Sequence, residues 1–242
     1  MRYSKDYFQI QLDFAEKVSE LTGETIEKVL FTHTAIPKAI GIKGWKFDEQ
    51  DSMWKDFLDG LKKTDNKVHY IYSLCHTDPT PSGFREMFGC FWYEFDENDN
   101  HIKIHFRNND EAEPGALSKE REGTRKEELS KMFKDIKQKY PKAETVTGFS
   151  WLYTIDSYTR LFPQEYIQNA VVSKGWFRSV ALWGQFLSGD GEVKKEIAAD
   201  FKACIRDKKN IDDLSECFYY KVLVPKTQID NFYKFYQLEN YL

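Results

Sequence analysis

Apolar residues recur at helical spacing in three stretches near the start of the chain. Residues 4–21 carry one such stripe, and Gly23 follows it as a stop signal. Residues 25–36 continue the pattern up to Pro37, and residues 51–63 place four large apolar side chains on one face. The pattern predicts three helices packed together, which form an N-terminal helical section over residues 1–63.

Residues 88–96 and 101–107 both alternate between apolar and polar side chains, and the four residues ENDN separate them. A four-residue loop predicts a β-hairpin in which Asp96 lies opposite His101. One face then carries three apolar pairs: Phe95 beside Ile102, Tyr93 beside Ile104, and Phe91 beside Phe106. The other face carries Glu94 beside Lys103, Trp92 beside His105, and Cys90 beside Arg107. A slip of one residue would mix the two faces, so the pattern specifies the register.

Several shorter elements follow from residue type and periodicity. Aromatic and β-branched runs predict further strands at residues 68–74, 144–153 and 217–224. Apolar spacing predicts helices at residues 156–162, 191–206 and 225–236, the last with Pro225 near its first turn. Residues 176–187 are too uniformly apolar for periodicity to choose between helix and strand.

A longer helix carries the apolar stripe Leu129, Met132, Phe133 and Ile136. The sequence leaves two alternatives for the residue at which this helix begins. Ser118 is one candidate cap, and the alternative is a capping box formed by Thr124 and Glu127.

Together these elements predict an α+β fold with a mostly antiparallel sheet of five or six strands and helices packed against it. A chain of 242 residues suits one large domain or two small ones. We expect a single α+β domain over residues 1–242, in which residues 68–242 form the sheet-containing section.

Composition and charge narrow the class of partner. The formal net charge is −4, and a mildly acidic chain is a poor candidate for nucleic-acid binding. No run approaches the ~18 apolar residues of a membrane span, and acidic residues interrupt the N-terminal apolar pattern, so no signal peptide is indicated. We therefore expect no nucleic acid and no membrane as partners. A small-molecule ligand and a homo-oligomer stay open.

The four cysteines are Cys75, Cys90, Cys204 and Cys217, and they form no C-x-x-C pair. In the absence of an export signal, this usage predicts reduced thiols and a cytoplasmic location. Cys90 shares a predicted strand face with His105, but a cysteine in a strand is usually a small packed hydrophobe.

Basic side chains follow one face of the second hairpin strand: His101, Lys103, His105 and Arg107. They predict either a solvated sheet face or an anion site, and the neighbouring Trp92 favours the anion site, because a solvated face rarely needs a tryptophan. No metal site is predicted there, since His101 and His105 would lie ~13 Å apart at strand rise.

Arginines also flank the start of the longer helix, at Arg107, Arg121 and Arg125. A helix N-terminus with nearby arginines can hold a phosphate. The alternative is a charged, exposed helix start, since four glutamates crowd the same stretch: Glu111, Glu113, Glu120 and Glu122.

A fourth group lies at a predicted strand-to-helix junction and comprises Tyr153, Asp156, Tyr158 and Arg160. Tyr158 is a candidate general acid, and Arg160 is a candidate anion ligand. The alternative is that Tyr158 fills the core while Arg160 lies at the surface. The chain has no G-x-S-x-G, P-loop, Rossmann glycine pattern or H-E-x-x-H.

The order of elements over residues 68–162 resembles the GNAT N-acetyltransferases. In that family, the loop before the helix holds the pyrophosphate of coenzyme A through backbone N–H groups, with the pattern Q/R-x-x-G-x-G/A. The nearest stretch here is Arg121-Glu122-Gly123-Thr124-Arg125-Lys126. It departs from the family pattern, because one glycine is displaced by one position and a basic residue replaces the second small residue.

The resemblance implies coenzyme A or acetyl-CoA as the cofactor, with Arg121, Gly123, Thr124 and Arg125 as its ligands. The family's tyrosine general acid maps onto Tyr158. The candidate catalytic residues are then Tyr158, Glu94 and His105. The candidate substrate-binding residues are Trp92, Arg107, Tyr153 and Arg160.

Two hypotheses of different classes follow. The first is an enzyme or binding protein for a small anionic or acyl-carrying ligand, most concretely a GNAT-like acyltransferase. The second is a non-catalytic binding or assembly module whose aromatic residues pack cores and subunit contacts.

Overall fold

The computed structural model of the chain describes residues 3–42, 48–75, 86–110, 113–173, 175 and 177–240. The fold mixes helices and strands and divides into two compact units. The first unit comprises residues 1–80 and 174–220, and the second comprises residues 81–173 and 221–242. Each unit is therefore built from two separate stretches of the chain.

The part of the chain that the structure describes contains eleven α-helices, six strands and three short 3₁₀ helices. The helices are α1 (Lys5–Thr22), α2 (Ile26–His33), α3 (Ile36–Ala39), α4 (Ser52–Lys62), α5 (Lys67–Leu74), α6 (Glu122–Lys139), α7 (Asp156–Thr159), α8 (Gln164–Gln168), α9 (Val180–Trp183), α10 (Lys195–Asp207) and α11 (Ile229–Phe235). The strands are β1 (Phe91–Asp96), β2 (His101–Phe106), β3 (Thr145–Thr147), β4 (Val171–Val172), β5 (Leu223–Val224) and β6 (Lys226–Gln228). The 3₁₀ helices are Trp151–Thr154, Gly184–Phe186 and Ile211–Cys217.

The first unit confirms the three helices expected near the N-terminus, which are α1, α2 and α4. Gly23 ends α1 in the left-handed conformation, with φ of 69°, and its N–H donates to the carbonyl of Ser19. Apolar side chains of α1 are buried, and Phe14 packs against the rings of Trp183 and Phe201. This aromatic cluster is the core of the unit.

The predicted strand at residues 68–74 is wrong, because these residues form the helix α5. The Asn66 side chain caps the helix by accepting from the N–H of His69. Ile71 is fully buried, and the ring of Tyr72 lies edge-on to Phe8 of α1. The β-branched and aromatic residues that suggested a strand therefore pack around a short helix, with Ile71 buried and Tyr70 stacked on Phe57 of α4.

Within the stretch 176–187, for which periodicity made no choice, residues 180–186 are helical, in α9 and in the 3₁₀ helix that follows it; residue 176 lies outside the described residues. The predicted helix at residues 191–206 is confirmed as α10.

The expectation of four reduced cysteines is wrong for two of them. A disulfide joins Cys204 of α10 to Cys217, with a Cα–Cα distance of 5.5 Å. The two residues are 13 positions apart, and the fold alone brings them together. Cys75 and Cys90 are not part of a disulfide.

The second unit contains a four-stranded sheet of order β1-β2-β3-β6 and a separate pair, β4-β5. The hairpin is confirmed, and all six residue pairs from Phe91 opposite Phe106 to Asp96 opposite His101 have the predicted register. The expected mostly antiparallel sheet of five or six strands is wrong, because β2 and β3 pair in parallel and the main sheet has four strands.

The parallel pair follows from the helix between its strands. The predicted stripe Leu129, Met132, Phe133 and Ile136 of α6 is fully buried in the core of the unit. That core also contains Ile102, Ile104 and Val146 from β2 and β3. A helix that covers a sheet between two successive strands returns the chain in the original direction, so the second strand runs parallel to the first.

Element boundaries differ from the prediction where prolines and side-chain caps intervene. The strand expected at 144–153 is confined to β3, since the Ser150 hydroxyl caps a 3₁₀ helix at Trp151–Thr154. The strand expected at 217–224 is confined to β5. The last helix begins at Ile229 rather than near Pro225, because residues 226–228 pair with β3. Neither proposed cap of α6 is correct, since the helix begins at Glu122 after Arg121.

Candidate functional site

The ends of β2 and β3 and the first turn of α6 lie at one edge of the main sheet. Parallel strands end at the same edge, and here they end at Phe106 and Thr147. The first turns of α6 contact this edge, because the Glu128 carboxylate accepts from the N–H of Cys90 at 3.1 Å. The carbonyl of Cys90 in turn accepts from the N–H of Arg107 at 2.8 Å. We call this region, at Phe106, Thr147 and Glu122, the carboxyl edge.

Arg125 is a buried residue that joins the segments that meet at the carboxyl edge. Its side chain is 2 % exposed, and its guanidinium pairs with Glu128 at 2.8 Å and with Asp110. Burial raises the pKa of the Glu128 carboxyl, while the Cys90 N–H and the charge of Arg125 act in the opposite direction. The network joins the chain after β2 to α6, so Arg125 holds the local fold.

Arg121 occupies a more open position at the same edge. Its side chain is 25 % exposed, and Nη1 lies 3.4 Å from the Asp110 carboxylate. Its Nε donates to the carbonyl of Pro114 at 2.9 Å. About a quarter of the Arg121 side chain is therefore exposed to solvent, directly before the first turn of α6.

Arg160 reaches the carboxyl edge from the segment after β3. Its Nη2 donates to the carbonyls of Leu117 and Ser118 at 3.1 and 2.9 Å. Its Nε lies 3.1 Å from the carboxylate of Glu122. The structure thus brings Arg160 to the same end of the sheet as Arg121 and Arg125, which the sequence had already grouped at the start of the longer helix.

The first turn of α6 is open to solvent at Gly123 and Thr124. A Cβ placed on Gly123 would meet no described atom within 4 Å. Glycine lowers helix stability relative to alanine, so its presence needs a reason other than local packing. The first N–H groups of a helix have no acceptor within the helix and attract anions. An exposed glycine here allows an anion to approach the backbone closely.

The two candidate tyrosines lie beneath the carboxyl edge. Tyr153 and Tyr158 are 3 % and 1 % exposed, and burial raises the pKa of both phenols well above the ordinary value. The hydroxyls of Tyr153 and Tyr166 are 3.0 Å apart, and the Tyr158 ring packs edge-on against Phe106. Proton transfer by Tyr158 to a surface ligand would require this cluster to open.

The remaining candidates lie on the sheet face opposite to α6. The rings of Trp92 and His105 stack with centroids 4.8 Å apart, as the predicted register requires. Nε2 of His105 lies 3.3 Å from the carboxylate of Glu94, which is 45 % exposed. This arrangement places a carboxylate beside an imidazole, the pairing that proton transfer uses.

His101 is separated from this group by the register of β2. Its Nδ1 lies 2.7 Å from the hydroxyl of Thr145, and burial lowers the pKa of its imidazole. The charge of Lys226 on β6 acts in the same direction. The two histidines of the basic stripe therefore differ in their contacts: His101 bonds to Thr145 of β3, and His105 pairs with Glu94.

Sequence reasoning missed Asp110 and Glu128, the two carboxylates that neutralise Arg125. The spacing of Arg125 and Glu128, three positions apart on one helix, was an available signal. Nothing in the sequence indicated Asp110, because it lies in a loop 15 residues before Arg125.

Across the residues that the structure describes, no group of three or more His, Cys, Asp or Glu side chains is placed to hold a metal ion. No helix among them is both long enough and apolar enough to cross a bilayer. Comparison with protein-family models, curated proteins and solved structures finds no match to the chain.

Proposed function

We propose that the second unit binds a small anionic, acyl-carrying ligand at the carboxyl edge and acts as an acyltransferase of the GNAT type. One observation carries the proposal. The connection β2-α6-β3 places the open first turn of α6, with Gly123 exposed and Arg121 beside it, at the end of a parallel strand pair. Ligands of sheets with helical crossovers bind at the carboxyl ends of the strands.

The strand order supports the resemblance to the GNAT family. A hairpin, a helical crossover and a parallel third strand follow one another along residues 91–147. The stretch that resembles the family's pyrophosphate loop, residues 121–126, coincides with the start of the crossover helix. Backbone N–H groups of Gly123 and Thr124, together with Arg121, would hold the phosphates of coenzyme A.

Glu122 is the residue that most opposes an anion at this position. Its carboxylate pairs with Lys126 at 2.8 Å and with Arg160 at 3.1 Å. The hydrogen bond from Lys126 lowers the pKa of Glu122, so the carboxylate stays ionised but is neutralised by two cations. The adjacent Arg121 then supplies the charge that attracts a phosphate.

Residues on the other sheet face would serve the transfer step. In this proposal, Glu94 and His105 act together as the proton acceptor for a nucleophilic substrate, and Trp92 and Arg107 contact that substrate. Tyr153 and Tyr158 would support the carboxyl edge from within the core on the α6 side of the sheet, and Arg160 holds residues 117–118 in place.

Thermal unfolding with acetyl-CoA, coenzyme A and a simple nucleotide tests the proposal. A ligand at 100 times its dissociation constant stabilises the folded state by about 2.7 kcal/mol, so a rise in melting temperature is expected with both CoA species. Arg121→Ala should weaken this effect. Lys131→Ala, an exposed change on the same helix, should leave it unchanged. No shift with either CoA species would contradict the proposal and favour a non-catalytic binding or assembly module.

A further inference from the structure

A cavity of about 620 Å³ opens in the second unit at the far end of α6 from the carboxyl edge. Its floor is apolar and consists of Ala143, Ile229 and the ring of Tyr233, all of them buried. Its rim carries the exposed carboxylates Asp230 and Glu239. An apolar floor with a few polar groups at the rim, in a volume of ~300–1,000 Å³, is typical of small-molecule sites.

Among the described residues that line this cavity, Lys137 is the cationic one, and its ammonium is already engaged. Lys137 donates from Nζ to the carbonyls of Leu238 and Glu239 at 2.8 and 3.1 Å. The same ammonium lies 5.2 Å from the centroid of the Tyr233 ring. Its charge therefore serves to hold the C-terminal segment against α6.

The two carboxylates at the rim are not neutralised in this way. Among the residues that the structure describes, neither Asp230 nor Glu239 has a side-chain hydrogen bond or ion pair. The cavity also faces the C-terminal turn of α6, an 18-residue helix whose dipole is negative at this end. The two rim carboxylates outnumber the ammonium of Lys137 in the lining, so the charge of the cavity favours a cation.

Tyr233 adds a neutral polar group. Burial, and then the charge of Asp230, raises the pKa of its phenol to about 12. The phenol therefore stays protonated at neutral pH and adds no negative charge, and its ring, which already lies 5.2 Å from the Lys137 ammonium, contributes apolar surface beside the two carboxylates.

We infer that this cavity is a binding site for a small organic ammonium ion. The ammonium group pairs with Asp230 and Glu239, and the aliphatic body lies on Ala143, Ile229 and Tyr233. The site is separate from the carboxyl edge, because Gly123 and Lys137 are 14 positions apart on one helix, ~21 Å at helical rise. The inference does not depend on the proposed function, since it uses none of the same residues.

Three probes of one size and different charge test the inference: butylammonium, butan-1-ol and butyrate, titrated into the full chain at constant ionic strength. Amide resonances in two-dimensional NMR report both affinity and place. Butylammonium should shift the resonances of Ile229 and Tyr233 and bind at least ~10-fold more tightly than the alcohol, a difference of about 1.4 kcal/mol. Butyrate should shift neither resonance.

Matched variants decide whether the rim carboxylates are responsible. Asp230→Asn and Glu239→Gln should each weaken butylammonium binding and leave the melting temperature unchanged. Asp200→Asn, on the exposed face of α10, should leave butylammonium binding unchanged. The inference is overturned if the alcohol or butyrate binds as tightly as the ammonium, if both rim variants bind like the unmodified protein, or if the shifts occur outside residues 137–143 and 229–239.

Discussion

The carboxylate of Glu128 accepts a hydrogen bond from the main-chain N–H of Cys90, 38 residues earlier, at 3.1 Å. This contact holds the start of α6 against the first strand of the hairpin. Gly89 makes the contact feasible, since a Cβ on that residue would overlap the Glu128 carboxylate. Its φ of 63° also lies in the left-handed region that glycine adopts most readily.

Gly89→Ala should therefore lower the free energy of unfolding by more than the left-handed backbone at residue 89 accounts for. The left-handed backbone costs about 1–2 kcal/mol, and displacement of Glu128 adds to this. Gly23→Ala is the matched control, because Gly23 has a φ of 69° and open space around its Cβ. Urea unfolding measures the loss of stability in both variants. Equal losses in the two variants would mean that the Glu128 contact contributes little.

Arg125→Leu should lower the free energy of unfolding by about 3 kcal/mol at neutral pH, because it leaves the Glu128 carboxylate buried without its partner. Arg121→Leu removes a partly exposed arginine and should cost less than about 1 kcal/mol. Chemical denaturation of the two variants compares them directly. A smaller loss for Arg125 than for Arg121 would contradict the anchoring role assigned to Arg125.

Glu128 should also give the protein a distinctive pH dependence. Its pKa is raised in the folded state, so the folded protein binds this proton more tightly than the unfolded chain. Its contribution is therefore fully present below the unfolded pKa of ~4.3 and is lost as the pH rises through the folded pKa. The stability of the unmodified protein relative to Glu128→Gln should fall over this window. If the stability of the unmodified protein relative to Glu128→Gln grew with pH, the attraction of Arg125 for the Glu128 carboxylate would outweigh the effect of burial on the pKa of Glu128.

Gly123→Ala separates the stability of α6 from ligand binding. The added methyl group meets open space and favours the helix, so stability should rise by up to about 1 kcal/mol. The same methyl should weaken the binding of acetyl-CoA, because it obstructs the approach of a phosphate to the backbone. Calorimetric titration and thermal unfolding of one sample measure both effects. Unchanged affinity in a stabilised variant would remove Gly123 from the site.

The disulfide predicts a redox-dependent melting temperature. A bridge that closes a loop of 13 positions stabilises a fold by about 3 kcal/mol, so reduction, or Cys204→Ser, should lower the melting temperature. Cys75→Ser should leave the effect of reductant on the melting temperature unchanged, since Cys75 is not part of the disulfide. Peptide mapping without reductant should recover the 204 and 217 peptides joined. Separate peptides from the oxidised protein would contradict the pairing.

Much of the local structure could be predicted because it depends on residues close together in the chain. The hairpin register follows from strict alternation and a four-residue loop, so Trp92 lies beside His105 as expected. The buried stripe of α6 follows from helical periodicity. For the same reason the sequence indicated Arg121 and Arg125 together at the start of this helix, and Arg160 separately, after β3.

Only the tertiary structure decided what depends on distant surfaces meeting. Residues 68–74 suit a strand by composition, yet Ile71 packs as part of a helix. The parallel pairing of β2 with β3, the Cys204–Cys217 bridge and the Asp110–Arg125–Glu128 network all join segments whose proximity no short pattern encodes. Periodicity specifies which face of an element is apolar. Which element covers that apolar face depends on the free energy of packing the whole unit. The packing of α6 on the sheet placed the three arginines together at the carboxyl edge.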